Sequence, residues 1–139
     1  MNEDIMSDTR RELPPITLSG FDVERLDRLA QAAANSFPHT AEFLAREVAR
    51  ASVVPHGFVP SGLVTMGSKV EFRDDSTGQS RTAILVYPNE ADLDAGRLSV
   101  LSPVGAALIG LSVGQSIEWQ TPSGGWRSLT VLRAGGVGA

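Results

Sequence analysis

The sequence predicts an α+β protein in which a short helical hairpin precedes an antiparallel β-sheet that carries one short helix. Between residues 17 and 52, apolar side chains recur every three or four positions, which is typical of amphipathic helices. From residue 63 onward they alternate with polar side chains, which is typical of half-buried strands. The ten residues between these regions contain two prolines and two glycines, so residues 53–62 are predicted to be a linker.

Composition excludes several classes of site and partner. The 139 residues include no cysteine and only two histidines, which excludes disulfides, thiolate metal sites and a cysteine nucleophile. The net charge of −4 has the wrong sign for a protein that coats nucleic acid. There is no apolar run of about 18 residues, and the polar N-terminus lacks the apolar core of a signal peptide. We therefore expect a cytoplasmic protein that makes no membrane contact.

The first region predicts a flexible segment followed by two helices. Residues 1–16 end near a double proline and are predicted to be a flexible lead-in. Ser19 is predicted to cap the first helix together with Asp22, three positions later. Pro38 is predicted to end this helix, and Thr40 to cap the second. With roughly 13 residues per helix, the hairpin, a short antiparallel coiled coil, extends roughly 20 Å.

The second region, residues 63–133, predicts the sheet domain. Ser102 is predicted to cap its short helix, with Pro103 at the first helical position, and Gly110 to end it. Residues 134–139 are predicted to be a flexible tail. The predicted strands are residues 69–73, 82–87, 98–101, 116–120 and 126–132, with a turn at residues 74–78.

A search for catalytic motifs finds none. The run Gly105–Gly110 lacks the Lys-Ser or Lys-Thr of a phosphate-binding loop. Glu90, Asp92 and Asp94 could bind a cation weakly, but they lack the pattern of a calcium loop. Asp74–Asp75 is expected to bond the backbone of its turn. The sequence therefore predicts no catalytic residue, metal site, cofactor or small-molecule substrate.

Aromatic residues leave two questions open. Tyr87, Trp119 and Trp126 either line a pocket or fill the core of the sheet. Phe37, beside His39 at the hairpin tip, either packs across the mouth of the hairpin or offers an exposed contact to a partner.

Residues 98–114 read Leu-Ser-Val-Leu-Ser-Pro-Val-Gly-Ala-Ala-Leu-Ile-Gly-Leu-Ser-Val-Gly. With Gly67-Ser68-Lys69-Val70 and the turn at Gly78, this run resembles the C-terminal, FKBP-like domain of the GreA/GreB transcript-cleavage factors. Three stretches, Leu63–Met66, Leu85–Pro88 and Pro103–Leu108, are closer still to the branch of this family that regulates nucleoside diphosphate kinase.

The resemblance implies a bacterial transcription regulator that binds RNA polymerase, in the β′ region at the rim of the secondary channel. Contact with nucleic acid, including DNA, is then expected only inside the transcription complex. The residues expected to face the polymerase are Ser99, Ser102, Pro103, Val104 and Gly105, together with Asp92 and Asp94. An alternative for the segment from Ser102 to Gly105 is a helix start selected for folding alone.

The hairpin tip departs from the family pattern. Factors of this family carry acidic residues at the tip that help to hold a catalytic magnesium ion, whereas this tip contains Asn35, Ser36, Phe37 and His39, and Glu42 is the nearest acid. We therefore expect a regulator that competes with Gre-type factors without stimulating transcript cleavage, and that is not an enzyme. The alternatives are a direct modulator of nucleoside diphosphate kinase and an FKBP-like adaptor for another protein.

Overall fold

A computed structural model describes residues 13–136, which form a helical hairpin followed by a curled β-sheet that carries one short helix. The predicted fold class is confirmed. The elements are β1 (Thr17–Ser19), α1 (Gly20–Ala32), α2 (Pro38–Arg50), β2 (Ser52–Val54), β3 (Ser68–Asp74), β4 (Ser80–Val86), β5 (Arg97–Ser99), α3 (Pro103–Leu108), β6 (Ser116–Gln120) and β7 (Trp126–Gly136). None of the helices in this described part is long and apolar enough to cross a membrane.

The two helices of the hairpin, which we call the arm, begin differently. Ser19 caps α1 as predicted, because its Oγ accepts a hydrogen bond from the Asp22 backbone N–H at 3.1 Å. The prediction for Thr40 is wrong: α2 begins at Pro38, its N-cap is Phe37, and no side chain caps it. Proline suits the first helical position because its φ is already helical and its missing N–H has no partner there.

The main sheet has the strand order β5-β4-β3-β7-β6. Its β3–β4, β3–β7 and β6–β7 pairs are antiparallel, as predicted. At one edge, however, β5 pairs parallel with β4. The connection between these strands contains two short 3-10 turns, which let the chain cross back before β5 begins. A parallel pair needs such a crossover rather than a tight hairpin.

One strand was not predicted from the sequence, and another is longer than predicted. β2, whose residues Val53 and Val54 lie in the predicted linker, pairs in parallel with β1 and so joins the two ends of the arm. β7 continues to Gly136, into the predicted tail, because residues 134–136 pair with residues 68–70 of β3. Residues 1–12 and 137–139 lie outside the described residues, so flexibility there stays a prediction, as does the division into an arm, a linker and a sheet domain.

One hydrophobic core contains side chains from the arm, the sheet and α3. Leu26 of α1 and Leu44 of α2 are fully buried and belong to the same cluster as Leu108 of α3 and Val70 of β3. Burying a leucine side chain contributes roughly 1.5–3 kcal/mol. Two short helices bury little by themselves, so packing on the sheet domain sets the position of the arm.

A buried ion pair lies at the base of the arm. Glu47 is 1% exposed, and both of its carboxylate oxygens accept hydrogen bonds from the Arg50 guanidinium at 2.8 Å. Arg50 also donates to the backbone carbonyl of Pro14. The bidentate geometry compensates for the desolvation of the carboxylate. The bond from Arg50 to the Pro14 carbonyl holds the segment that leads into β1.

Candidate functional site

The residues that begin α3 hold one another in place. Ser102 Oγ accepts a hydrogen bond from the Gly105 N–H at 3.0 Å and donates to the Ser99 carbonyl at 2.7 Å. Ser99 Oγ accepts from the Leu101 N–H at 3.0 Å. Both hydroxyls, which the sequence analysis assigned to polymerase binding, therefore have partners inside the fold. Ser102 is the predicted helix cap.

The backbone of Ser99 lies so close to Gly105 that it leaves no room for a side chain there. Gly105 is buried, and a Cβ added there would overlap the Ser99 carbonyl oxygen and come within 3.0 Å of Ser102 Oγ. The position therefore has a folding reason to be glycine, which supports the alternative left open for this segment.

Pro103 and Val104 are half-buried and line an open cleft of about 530 Å³ between α3 and the β6–β7 hairpin. Trp119 and Trp126 form part of its wall. Trp119 is 4% exposed and both fills the core and lines the cleft, whereas Trp126 is 46% exposed and only lines the cleft. Within residues 13–136, the buried Trp119 Nε1–H has no hydrogen-bond partner.

The acidic loop lies beside the start of α3. Asp92 caps a 3-10 turn by accepting from the Ala95 N–H at 3.4 Å, and Asp94 is exposed. A smaller cleft contains the side chain of Leu93, which is 71% exposed, together with Val104. The structure thus brings the acidic loop and α3 onto one face. We call the accessible residues of this face the α3 surface: Leu93, Asp94, Leu98, Pro103, Val104 and Trp126.

The arm tip is exposed but lies close to the sheet. Asn35, Ser36, Phe37 and His39 are all exposed, and the 55% exposure of Phe37 favours an available contact over packing across the hairpin. His39 Nε2 lies 2.8 Å from the Gln120 carbonyl oxygen at the end of β6. The sequence offered no signal for this contact, since the two residues are 81 positions apart.

At the β3–β4 turn, Asp74 has the local role expected of it, whereas Asp75 accepts hydrogen bonds from the hydroxyls of Ser128 and Thr130 in β7, both at 2.9 Å. Asp74 accepts hydrogen bonds from the Ser76 hydroxyl at 2.7 Å and from the Ser76 N–H at 2.9 Å. These bonds, helped by the Arg127 guanidinium, lower the pKa of Asp74 from 3.8 to about 2. In the described part of the chain, no group of three His, Asp or Glu side chains is placed to hold a metal ion.

A second cleft, which sequence analysis missed, lies where the first turn of α1 meets the end of β4. We call it the arm-base cleft; its volume is about 530 Å³. Asp22 is 7% exposed in its wall, and the Met66 N–H donates to Asp22 Oδ2 at 3.3 Å. The Arg25 guanidinium lies 4.3 Å from the centroid of the Tyr87 ring and 5.2 Å from that of Phe21. Only the capping pattern that includes Asp22 was a local signal for this cleft.

Burial changes the acid–base properties of the arm-base cleft. Desolvation raises the pKa of Asp22 above 3.8, although the bond from Met66 and the charge of Arg25 act in the opposite direction. Desolvation also raises the pKa of Tyr87, and the neighbouring Asp22 charge raises it further. Two polar groups that water would normally solvate thus lie together beneath a surface cation.

Comparisons with known proteins agree with this architecture. The family model for the C-terminal part of the transcription elongation factors GreA/GreB matches residues 59–134, and the model for the Rnk N-terminus matches residues 14–54. The regulator of nucleoside diphosphate kinase of Escherichia coli K12 is 41% identical over 119 residues, which cover 86% of this chain and 88% of that protein.

Transcription elongation factors of the GreA/GreB family are also similar to this chain. The transcription elongation factor GreA of Rhodospirillum rubrum is 40% identical over 87 residues, which cover 62% of this chain and 55% of that factor. A solved GreA/GreB structure from Nitrosomonas europaea is 40% identical, with a TM-score of 0.67 over 87% of this chain and 98% of that one. The chain therefore belongs to the GreA/GreB family of transcription elongation factors, as a regulator of the type that carries the Rnk N-terminus.

Proposed function

We propose that this protein binds RNA polymerase at the rim of the secondary channel, in the β′ region, and competes there with Gre-type factors without stimulating transcript cleavage. The observation that carries the proposal is the arm tip. It presents Asn35, Ser36, Phe37 and His39 to solvent and contains no carboxylate. Membership of the elongation-factor family supplies the partner, and the neutral tip and the short arm are the two proposed differences from the cleavage factors.

The tip is poorly suited to hold a catalytic magnesium ion. Mg²⁺ requires oxygen ligands at about 2.0–2.1 Å and is bound in proteins through carboxylates. Asn35 and Ser36 offer only neutral oxygens, and the nearest acid, Glu42, lies 3.7 Å from the Arg46 guanidinium. A neutral tip would have little electrostatic attraction for the ion.

The dimensions of the arm support the same conclusion. Each arm helix has 13 residues and so extends about 20 Å at 1.5 Å per residue. The arm also packs along the sheet domain, with His39 in contact with β6. An arm held in this way is suited to cover the rim of a channel rather than to reach deep into it.

The α3 surface is proposed as the docking face on the polymerase. Its apolar members line two clefts that share Leu98 and Val104, and Asp94 follows Leu93 in the exposed acidic loop. An interface of ordinary size buries about 800 Å² on each partner, and exposed tryptophan is enriched among residues that dominate binding. Ser99, Ser102 and Gly105 would act by shaping this face, since their polar groups are engaged within it.

Direct binding to nucleic acid is not part of the proposal outside the transcription complex. The chain has a net charge of −4, whereas affinity for the phosphate backbone comes from clustered Lys and Arg. Any contact with DNA or RNA would follow from the position of the arm beside the channel.

A competition experiment tests the proposal. Tagged protein is bound to bacterial RNA polymerase, and GreA is added in increasing amounts. We expect displacement by GreA, weaker binding by Trp126→Ala and Asp94→Arg, and no stimulation of transcript cleavage. Glu24→Arg, an equivalent charge reversal on the exposed side of the arm, serves as the control for a general charge effect. Absence of binding at micromolar concentrations, or binding that GreA leaves unchanged, would refute the proposal.

A second candidate is direct modulation of nucleoside diphosphate kinase. The name of the Escherichia coli relative, which describes regulation of this enzyme, favours it. The two candidates differ in the partner, so a kinase assay with purified enzyme and no polymerase separates them. A change in kinase rate on addition of this protein would support the direct mechanism.

A further inference from the structure

The arm-base cleft contains two buried polar groups whose bonding capacity is largely unused. Within residues 13–136, the Tyr87 hydroxyl is buried and has no hydrogen-bond partner. The Asp22 carboxylate, which can accept about four hydrogen bonds, accepts one from the described residues, from the Met66 N–H at a long 3.3 Å. Buried polar groups are usually satisfied, so each exception calls for an explanation. Both of these groups line the same cleft.

The opening of the arm-base cleft, unlike its buried wall, consists of aromatic rings and an exposed cation. Arg25 is exposed, and its guanidinium is held against the faces of Tyr87 and Phe21 at 4.3 and 5.2 Å. The ring of Phe21 in turn lies 5.3 Å from that of His56. The rings of Phe21 and His56 and the cation of Arg25 therefore frame the opening, and the exposed Glu90 also lines the cleft. The cleft volume of about 530 Å³ lies within the range of small-molecule sites.

These features define the chemistry of a ligand. Its inner edge must donate N–H hydrogen bonds to the Asp22 carboxylate and bond to the Tyr87 hydroxyl. Its body must be flat, to lie beside the rings of Phe21 and His56. Its outer end should place an anionic group against Arg25, which faces solvent, and away from the Glu90 carboxylate that also lines the cleft. A guanidinium or ammonium ligand fits less well, since the fixed charge of Arg25 would repel it.

We propose that the arm-base cleft binds a purine nucleotide of the guanine type, with the N–H edge of the base on Asp22 and Tyr87 and the phosphate toward Arg25. Guanine presents two adjacent N–H donors, which match a carboxylate in a bidentate arrangement. The site recognises the base edge and lacks a glycine-rich phosphate loop, which is consistent with the absence of phosphate-binding motifs in the sequence. It lies on the arm base, apart from the α3 surface, and does not depend on polymerase binding.

Titration calorimetry with the purified full-length chain and GMP tests this site. We expect saturable binding with a Kd at or below about 1 mM, and at least tenfold weaker binding of AMP, whose base presents no pair of adjacent donors to a carboxylate. Guanosine should bind more weakly than GMP because it lacks the phosphate that faces Arg25. Absence of saturable GMP binding, or equal affinity for AMP, would overturn the proposal.

Two variants locate the site, and a third controls for surface charge. Asp22→Asn keeps an oxygen for the Met66 N–H but loses the carboxylate, and should weaken GMP binding at least tenfold. Tyr87→Phe removes a hydroxyl that no described residue bonds, so it should weaken GMP binding several-fold while leaving the urea midpoint of the apo protein unchanged. Asp27→Asn, on the exposed side of α1, should bind GMP as the parent chain does. Binding that survives both cleft variants would place the nucleotide elsewhere and refute the assignment.

Discussion

Replacing Gly105 by alanine tests the account of the α3 start, because the structure and helix propensity predict opposite signs. In a helix interior, exchange of glycine for alanine is expected to stabilise by about 1 kcal/mol. Here the added Cβ would overlap the Ser99 carbonyl oxygen. A carbon–oxygen contact needs about 3.3 Å, so the backbone would have to shift.

The size of the effect follows from what such a shift disrupts. The Ser99 carbonyl accepts hydrogen bonds from the Ser102 N–H at 3.0 Å and from Ser102 Oγ at 2.7 Å. Each is worth about 1 kcal/mol, and overpacking of a buried site costs about 1–3 kcal/mol more. After the gain in helix propensity is subtracted, Gly105→Ala should reduce the free energy of unfolding by about 3 kcal/mol.

Urea unfolding followed by tryptophan fluorescence measures this change. With a slope of about 2 kcal/mol per molar urea, the midpoint should fall by about 1.5 M. Gly57→Ala is the matched control, because an added Cβ there would meet nothing within 4 Å. The control should leave the midpoint within about 0.5 M of the parent chain or raise it slightly. A Gly105→Ala protein as stable as the parent would refute the packing argument.

Three further predictions concern a turn, an ion pair and the arm tip. Hydrogen bonds, above all from the Ser76 hydroxyl, lower the pKa of Asp74 to about 2. The ionised Asp74 therefore contributes its full stabilisation above its ordinary pKa of 3.8, and this contribution is lost as the pH falls through about 2. Urea midpoints measured across this pH range should therefore fall less steeply in Asp74→Asn than in the parent chain, and an unchanged slope would contradict the assignment. Arg50→Ala leaves the buried Glu47 carboxylate without its bidentate partner and should cost about 3 kcal/mol in thermal unfolding, whereas a loss below about 1 kcal/mol would show that water replaces the pair. Acids introduced at Asn35 and Ser36 should not confer transcript cleavage in a stalled-complex assay, because the arm stays short and packed on the sheet. Cleavage by this variant would show that the charge of the tip alone decides the activity.

Features that depend on neighbouring residues in sequence were predictable. The Ser19 cap of α1 and the Ser102 cap of α3 are contacts across three residues, and both form as expected. The prediction for Thr40 failed because Pro38 provides a competing start two residues earlier. The turn at Asp74 is likewise local and behaves as predicted.

Features that depend on distant pairing were not predictable. β7 extends into a glycine-rich stretch because residues 134–136 pair with residues 68–70 of β3, which are distant in sequence. The arm-base cleft depends on a contact between Asp22 and Met66, 44 positions apart, and on Arg25 reaching Tyr87. The resemblance of residues 63–132 to a known family predicted the architecture, but local patterns could not show which polar groups of that architecture would be engaged internally.

The core shared by arm and sheet constrains how the reach of such an arm can change. Because Leu26 and Leu44 are anchored against the sheet, an insertion near the base would rotate one helix and carry its leucine out of the core. Residues added between Ala33 and Pro38 would leave both anchors seated, provided that the two helices lengthen together by whole turns of about 3.6 residues. The fold thus permits growth outward from the tip only, and a longer or shorter arm can evolve while the α3 surface stays the same.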